Sequence, residues 1–224
     1  MIDTQTDLNA ACLLKDGFKP SPTDFLTAKS SANWQNASRL HSSCSWLSPQ
    51  VHTFLKGLEK IAASADIPML VCGDFNSVPG RYFCSLLCGA SHALLAMGKI
   101  DPMHPDLVVD PLGILRPHSK LAYQLPLVSA SSSLARVGVG LCLEQKRRRM
   151  DPSTNEPLFM DCTRDFIGTL DYLFCTAGSL AVESLLELLD EDGLRKDIAL
   201  PSPEWSSDHI SLLTEFHYMP RLRR

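Results

Sequence analysis

The sequence feature that most constrains the fold is a short apolar run, Ile67–Cys72, that leads directly into polar residues. The run is too short for a typical helix and is stopped by Gly73, so it predicts a strand buried on both faces. Asp74 and Asn76 then point to the same side if the chain stays extended. Layered α/β folds place catalytic groups at such strand ends. The same residues are equally compatible with an Asx-type turn, in which they cap backbone N–H groups.

Helical patterns lie on either side of this strand. Apolar residues recur at helical spacing over Val51–Ala65, and Ser48 and Pro49 are the predicted N-cap and first-turn residues. A second helix is predicted over Ser91–Met97. A helix that runs through a short link into a buried strand is an αβ unit, so the pattern indicates helices packed on a sheet.

Two later segments carry polar residues in apolar surroundings. Thr169–Cys175 is rich in strand formers but contains Asp171, whose burial is costly unless the carboxylate is paired. The alternative is that Asp171 lies at an edge or caps a neighbour. Asp208 and His209 precede Ile210–Leu213, which we predict to be a terminal strand, although a lone histidine there is more often structural. Leu180–Leu189 is compatible with either a strand or a helix.

Composition limits the classes of function. The net charge of the 224-residue chain is −4, so a polyanion would have to be met by a local basic patch or by metal ions. Glu144–Arg149 is the concentrated basic run, which could contact phosphates, act as a nuclear address or form a solvated turn. We expect no membrane span and no secretory signal, because the sequence lacks a long apolar run and a basic N-terminal segment.

The metal-binding residue types give weaker signals. None of the eight cysteines forms a Cys-x-x-Cys pair, which favours reduced thiols in a cytosolic or nuclear protein. Cys84 and Cys88 are spaced one helical turn apart, and core packing is their favoured role. Ile100–Pro117 contains acids and a histidine, but its four prolines favour an irregular connection over a metal site.

Three motifs together resemble the endonuclease/exonuclease/phosphatase superfamily. They are Gly73-Asp74-Phe75-Asn76, Leu170-Asp171-Tyr172 and Ser207-Asp208-His209, in this order. The sequence from Val51 onward is similar to carbon catabolite repressor type poly(A) deadenylases, especially the plant members. The similar segments include DPMHPDL, RRRMDP, NEPLF and LPSPEWSSDH.

The resemblance implies a role for each matching residue. Asp74 would orient and activate the attacking water, and Asn76 would contact phosphoryl oxygens. His209 would stabilise the transition state or transfer a proton, with Asp171 holding its tautomer. Asp208 would be a carboxylate on the metal side. In addition, Phe166 would stack on adenine, although an ordinary core aromatic is the alternative for it.

The resemblance also implies a fold and an activity. We expect an α/β fold, namely the C-terminal half of a four-layer α/β sandwich of the DNase I type, and an incomplete one. Residues 51–224 would form this part of the domain, whereas residues 1–50, which show no sustained periodicity, are unassigned and expected to be weakly ordered. The expected function is Mg²⁺-dependent 3′ poly(A) ribonuclease activity that shortens mRNA tails with the other Ccr–Not subunits, in nucleus and cytoplasm.

Two alternatives remain open from the sequence. A metal-binding Glu, an Asn and a Thr-His element of the family have no match here, and residues 81–90 appear as additional sequence. The chain could therefore be a catalytically inactive truncated fragment that acts at most as an RNA- or protein-binding module. DNA or a phosphoinositide is the other alternative, as a different substrate for the same enzyme class.

Overall fold

The computed structural model describes residues 11–13, 40–65, 67–79, 89–107, 116–117, 121–137, 147–163, 166–187, 200–203 and 205–219. The helices are α1 (Leu40–Ser64), α2 (Ala90–Met97) and α3 (Ala130–Val137), with a short 3₁₀ turn at Pro105–Leu107. The strands are β1 (Ala11–Leu13), β2 (Met69–Asp74), β3 (Leu127–Ser129), β4 (Asp161–Cys162), β5 (Ile167–Gly168), β6 (Asp171–Thr176), β7 (Leu180–Leu185) and β8 (Thr214–Tyr218).

The largest sheet has the strand order β1-β2-β6-β3, and each neighbouring pair is antiparallel. The apolar run of the sequence supplies β2, which begins at Met69 and includes Asp74. Met69 and Val71 are buried, but Leu70 and Cys72 are only half-buried. The prediction of a strand buried on both faces is therefore wrong for the second face, where burial is partial.

The helix before β2 is longer than its apolar pattern indicates. It begins at Leu40, so Ser48 and Pro49 lie within α1 and the prediction of an N-cap at Ser48 is wrong. The apolar stripe that made the helix visible in the sequence starts only at Val51, which explains the error. From there the predicted stripe packs on the core, and the helix ends at Ser64, close to the predicted end.

Both α1 and α2 pack on the main hydrophobic core, together with residues of the sheet. The fully buried residues include Val51, Leu55, Met69, Val71, Phe75, Leu94, Leu95 and Phe174. Helix α2 confirms the helix predicted over Ser91–Met97. Since the core includes Phe75 and Tyr172, the residues that follow β2 and begin β6 are anchored where the polar motifs lie.

The acid and histidine residues after α2 bond to backbone N–H groups. Ala90 N–H donates to Asp106 Oδ2 at 3.0 Å, Asp106 N–H donates to His104 Nδ1 at 3.2 Å, and Met103 N–H donates to Asp101 Oδ1 at 2.9 Å. Such bonds satisfy orphan donors at a helix start and in turns. Within the described part of this segment, the structure supports the irregular connection that we favoured.

Two small antiparallel pairs, β4–β5 and β7–β8, complete the described sheets. Of the range Leu180–Leu189, which the sequence left open between strand and helix, Leu180–Leu185 forms the strand β7. The last strand among the described residues is β8 at Thr214–Tyr218, so the strand predicted over Ile210–Leu213 is wrong. Ile210 N–H instead donates to Met160 O at 2.8 Å, which ties this segment to β4 before β8 begins.

Several further predictions concern cysteines and the basic run. Cys72, Cys162 and Cys175 are not in disulfide bonds, as predicted for these three. Cys84 and Cys88 lie outside the described residues, as does the first half of the basic run. At its end Arg149 forms an ion pair with Glu187 at 3.2 Å. Among the described residues, no helix has both the length and the apolar character needed to cross a bilayer.

Candidate active site

Strands β2 and β6 bring Asp74 and Asp171 together. The antiparallel register pairs the two residues directly, where β2 ends and β6 begins. Phe75 N–H also donates to Leu170 O at 2.9 Å, which extends the pairing past both acids. Like charges directly opposite on neighbouring strands are destabilising. A pair of this kind therefore requires a compensating positive charge.

His209 supplies that charge. Its Nδ1 lies 2.6 Å from Asp171 Oδ2, and its Nε2 lies 3.4 Å from Asp161 Oδ2. The hydrogen bond to Asp171, followed by the charges of Asp171, Asp161 and Asp74, raises the His209 pKa to about 9 against the opposing effect of burial. The imidazole is consequently protonated at neutral pH, and Nδ1 donates to Asp171.

Two backbone features place His209 at this position. An isolated antiparallel bridge joins Asp161 to His209, next to the Ile210–Met160 hydrogen bond. The His209 N–H also donates to Ser207 Oγ at 3.1 Å, a local turn motif that orients the residue. The motif Ser207-Asp208-His209 is thus held against β4 rather than projecting from a strand end.

Asn76 does not continue the extended chain after β2. Its φ is +44°, and its N–H donates to Asp74 Oδ1 at 2.7 Å, while Nδ2 donates to Asp74 Oδ2 at 3.0 Å. Of the two alternatives that the sequence left open, the Asx-type turn forms and the extended continuation does not. The carboxylate and the amide nevertheless lie together. Burial raises the Asp74 pKa to about 6, with a further contribution from Asp171.

Asp161 is a site residue that sequence reasoning missed. It is only 4% exposed, and Oδ1 is buried without a hydrogen-bond partner. Burial, together with the charges of Asp208, Asp171 and Asp74, raises its pKa to about 6, although His209 opposes the shift. The sequence did contain a signal for Asp161, because this acid lies among the apolar residues Phe159, Met160 and Cys162. The same criterion had identified Asp171.

The donor atoms of Asp161, Asp208 and His209 could hold a metal ion. One atom from each lies within 4.8 Å of the others. Hard divalent cations prefer oxygen ligands. Because His209 is protonated at neutral pH, the two carboxylates are the better donors. The unpartnered Oδ1 of Asp161 is available for such an ion, so the residues present fit a divalent cation.

Phe166 stands at the turn between β4 and β5. Its N–H donates to Thr163 Oγ1 at 3.1 Å, and Thr163 N–H donates to its carbonyl at 2.8 Å. The half-buried ring covers Gly168 so closely that a Cβ there would lie 2.5 Å from a ring carbon. The absence of a side chain at Gly168 therefore leaves the space that the ring occupies. The structure places Phe166 at the turn of the β4–β5 pair, of which Asp161 is the first residue.

The fold and this acid–histidine cluster define the class of protein. The model of the Endonuclease/Exonuclease/phosphatase family matches residues 7–209, so the chain belongs to this family, as predicted. The match extends into residues 1–50, where the structure places β1 and the first part of α1. For these residues the sequence predicted no element.

Within the family, the chain is similar to carbon catabolite repressor proteins. It is 71% identical over 175 residues to Carbon catabolite repressor protein 4 homolog 1 of Arabidopsis thaliana, which covers 78% of this chain and 28% of the relative. It is 34% identical over 155 residues to the CCR4-Not complex 3′-5′-exoribonuclease subunit Ccr4 of Aspergillus terreus, over 69% of this chain and 19% of the relative. The chain thus spans less than a third of either relative.

A solved structure supports the fold. The crystal structure of ANGEL2, a 2′,3′-cyclic phosphatase, matches 75% of this chain and 50% of its own, with a TM-score of 0.51 and 24% identity. The predicted α/β fold of the DNase I type is confirmed.

Proposed function

We propose that this chain is a 3′-5′ exoribonuclease that hydrolyses phosphodiester bonds of poly(A) tails with Mg²⁺. The name of the Aspergillus relative supports RNA as the polymer that is cleaved and 3′-5′ as the direction of cleavage. Membership of the family supports hydrolysis of a phosphate ester. The observation that carries the proposal is the junction of Asp171 with His209, because it joins two distant motifs beside Asp74 and Asp161.

Asp74 is the proposed general base. A base works best when its pKa lies near the operating pH, and burial brings the Asp74 pKa to about 6. At neutral pH the carboxylate is ionised and can orient and deprotonate a water molecule. The amide of Asn76 is fixed by its bond to Asp74, and the second hydrogen on Nδ2 remains a donor for a phosphoryl oxygen.

His209 is the proposed source of positive charge at the scissile phosphate. As an imidazolium it can stabilise developing negative charge or donate a proton to the leaving oxygen. Asp171 orients the ring through Nδ1. Asp161 and Asp208 would hold the divalent cation, which when bound supplies charge neutralisation at the phosphate.

Phe166 is the proposed contact for adenine. An aromatic ring offers a stacking surface to a base, and Gly168 leaves room for the ring to rest beside the β4–β5 turn. The other Ccr–Not subunits are the proposed protein partners, by analogy with the name of the Aspergillus relative. Nucleus and cytoplasm are the proposed compartments, in keeping with Cys72, Cys162 and Cys175 not being in disulfide bonds.

The proposal is tested by a substrate panel with the purified full chain. Four labelled substrates are compared in Mg²⁺: an RNA ending in 3′ adenosines, the same RNA ending in uridines, a DNA of matching sequence and a phosphoinositide. The proposal predicts stepwise shortening of the adenosine-ended RNA ahead of the others. Faster turnover of DNA or of the phosphoinositide would contradict the assigned substrate.

The same panel separates the enzyme from the inactive binding module that the sequence left open. Folding is checked by circular dichroism, and RNA binding by fluorescence anisotropy. Binding of the adenosine-ended RNA by folded chain without any shortening, over a range of Mg²⁺ and Mn²⁺ concentrations, would overturn the enzymatic proposal and support the module.

A further inference from the structure

Tyr172 lies immediately behind the acid cluster and takes no part in the mechanism above. It is the second residue of β6, pairs with Gly73 of β2 and is only 2% exposed. Its ring packs beside those of Phe75 and His92. Its hydroxyl lies 2.5 Å from Ser77 O and 2.9 Å from Thr169 O. One buried phenol is therefore within hydrogen-bond distance of two carbonyl oxygens from different segments.

These carbonyls belong to the two segments that carry the acids. Ser77 follows the turn that contains Asp74 and Asn76, and Thr169 precedes Asp171. Ser77 is held a second time, because its Oγ accepts the N–H of His92 in α2 at 2.9 Å. The loop after β2 is thus fastened to both β6 and α2 just beyond Asn76.

The loop requires such fastening because its backbone is unusual. Asn76, two residues after Asp74, has φ +44°, in the left-handed region that residues other than glycine rarely adopt. Backbone in sparsely populated regions persists only where the surroundings hold it. On the near side of Asn76, the Asp74 carboxylate accepts the Asn76 N–H. On the far side, the hydroxyl of Tyr172 performs the corresponding task at Ser77.

We propose that the Tyr172 hydroxyl is a positioning group for catalysis, which fixes the Asp74–Asn76 turn relative to Asp171. The inference rests on the proposed function for its kinetic consequence, but not for its structural one. Burial raises the Tyr172 pKa well above its ordinary value, so the phenol remains a hydrogen-bond donor throughout the working pH range.

The test compares Tyr172→Phe with Tyr123→Phe in the full chain. Tyr123 is a matched control: it is 6% exposed and its hydroxyl also donates to a backbone carbonyl, that of Leu95, outside the acid cluster. Each variant removes one buried hydroxyl and keeps the ring. Both should therefore lower the melting temperature by a similar amount, which shows that any difference at the site is local.

The structural readout is amide hydrogen exchange, which needs no enzymatic activity. In Tyr172→Phe we expect the Asn76 N–H to exchange at least about tenfold faster than in the wild type, while Phe174 in the centre of β6 changes no more than in Tyr123→Phe. Unchanged exchange at Asn76, or equal acceleration at Asn76 and Phe174, would overturn the proposal. The first result would show that the hydroxyl does not hold the turn, and the second would show a purely global effect.

The kinetic readout is the division between kcat and KM on adenosine-ended RNA. Misplacement of a catalytic group by less than 1 Å can cost about ten- to a hundredfold in rate. We expect a loss of this size in kcat for Tyr172→Phe, with KM unchanged, and none in Tyr123→Phe. Equal kcat in both variants would overturn the positioning role. An inactive wild-type chain would instead overturn the proposed function, and the exchange result would still decide whether Tyr172 fixes the turn.

Discussion

Nδ1 of His209 lies 2.6 Å from Oδ2 of Asp171, a contact that joins residues 38 positions apart. On its other side His209 faces Asp161, and Asp171 is paired across the sheet with Asp74. One imidazolium therefore balances a group of carboxylates that would otherwise repel each other.

The first prediction concerns the titration of His209. Replacing Asp171 with Asn removes the largest cause of its elevated pKa, so the pKa should fall from about 9 toward the ordinary 6.5. NMR of the imidazole resonances against pH measures the shift. Glu183→Gln is the control, because Glu183 pairs with the exposed His217 at 3.4 Å and is not among the groups that shift the His209 pKa. An unchanged His209 titration in Asp171→Asn would contradict the assigned pairing.

The second prediction concerns stability against pH. Because the His209 pKa is raised on folding, protonation stabilises the folded chain fully below about pH 6.5, and this contribution is lost as pH rises through about 9. The wild type should therefore be more stable than His209→Gln at pH 6, and the difference should shrink above pH 9. Urea unfolding at several pH values measures it. A difference that grows with pH would be inconsistent with an imidazolium.

The third prediction concerns divalent cations and Asp161. Ionisation of Asp161 is unfavourable in the folded chain, since its pKa is raised to about 6, and a bound cation would relieve this cost. Saturating Mg²⁺ should raise the melting temperature at pH 8, by about 2–4 °C for each kcal/mol of binding free energy, and should do so weakly at pH 5.

The variant Asp161→Asn should lose this response to Mg²⁺. Glu187→Gln, which removes one negative charge at an exposed ion pair with Arg149, should retain it. Differential scanning calorimetry with and without EDTA compares the three proteins. If Asp161→Asn and the wild type respond equally, Asp161 does not hold the cation.

The fourth prediction concerns adenine recognition. Phe166→Ala should raise KM for adenosine-ended RNA by a factor that corresponds to roughly 1–3 kcal/mol, because a stacking surface is lost. Gly168→Ala should act in the same direction, since its Cβ would displace the ring. Steady-state kinetics on adenosine- and uridine-ended RNA provide the comparison, with Phe166→Trp expected to preserve stacking. Equal losses on both substrates would argue for a core role of Phe166.

The sequence predicted the parts of the site that lie in distinctive motifs. Asp74, Asp171 and His209 were identified together, and the structure brings them together. Asp161 was not identified as a site residue, because β4 and β5 are each two residues long and too short to show a periodic pattern in the sequence. The turn at Asn76 was one of two alternatives that the sequence could not separate, because the choice depends on tertiary contacts of Ser77 with Tyr172 and His92.

The fold was predictable where periodicity and burial agree. Helix α2 and the second half of α1 follow their apolar patterns. The start of α1 was not predicted, because its first residues carry no apolar stripe. The position of β8 was not predicted either, because β8 is a largely exposed strand whose place is set by pairing with β7. Pairing partners distant in sequence decide such elements, and a local pattern does not contain them.

The most direct test is the removal of 3′ adenosines from an end-labelled RNA by the purified chain, with Asp74→Ala assayed in parallel. The account predicts stepwise shortening in Mg²⁺ that stops on addition of EDTA, is lost in Asp74→Ala and weakens as pH falls through about 6, where Asp74 becomes protonated. Folded wild-type chain that leaves the RNA intact, or Asp74→Ala that shortens it at the wild-type rate, would contradict the account.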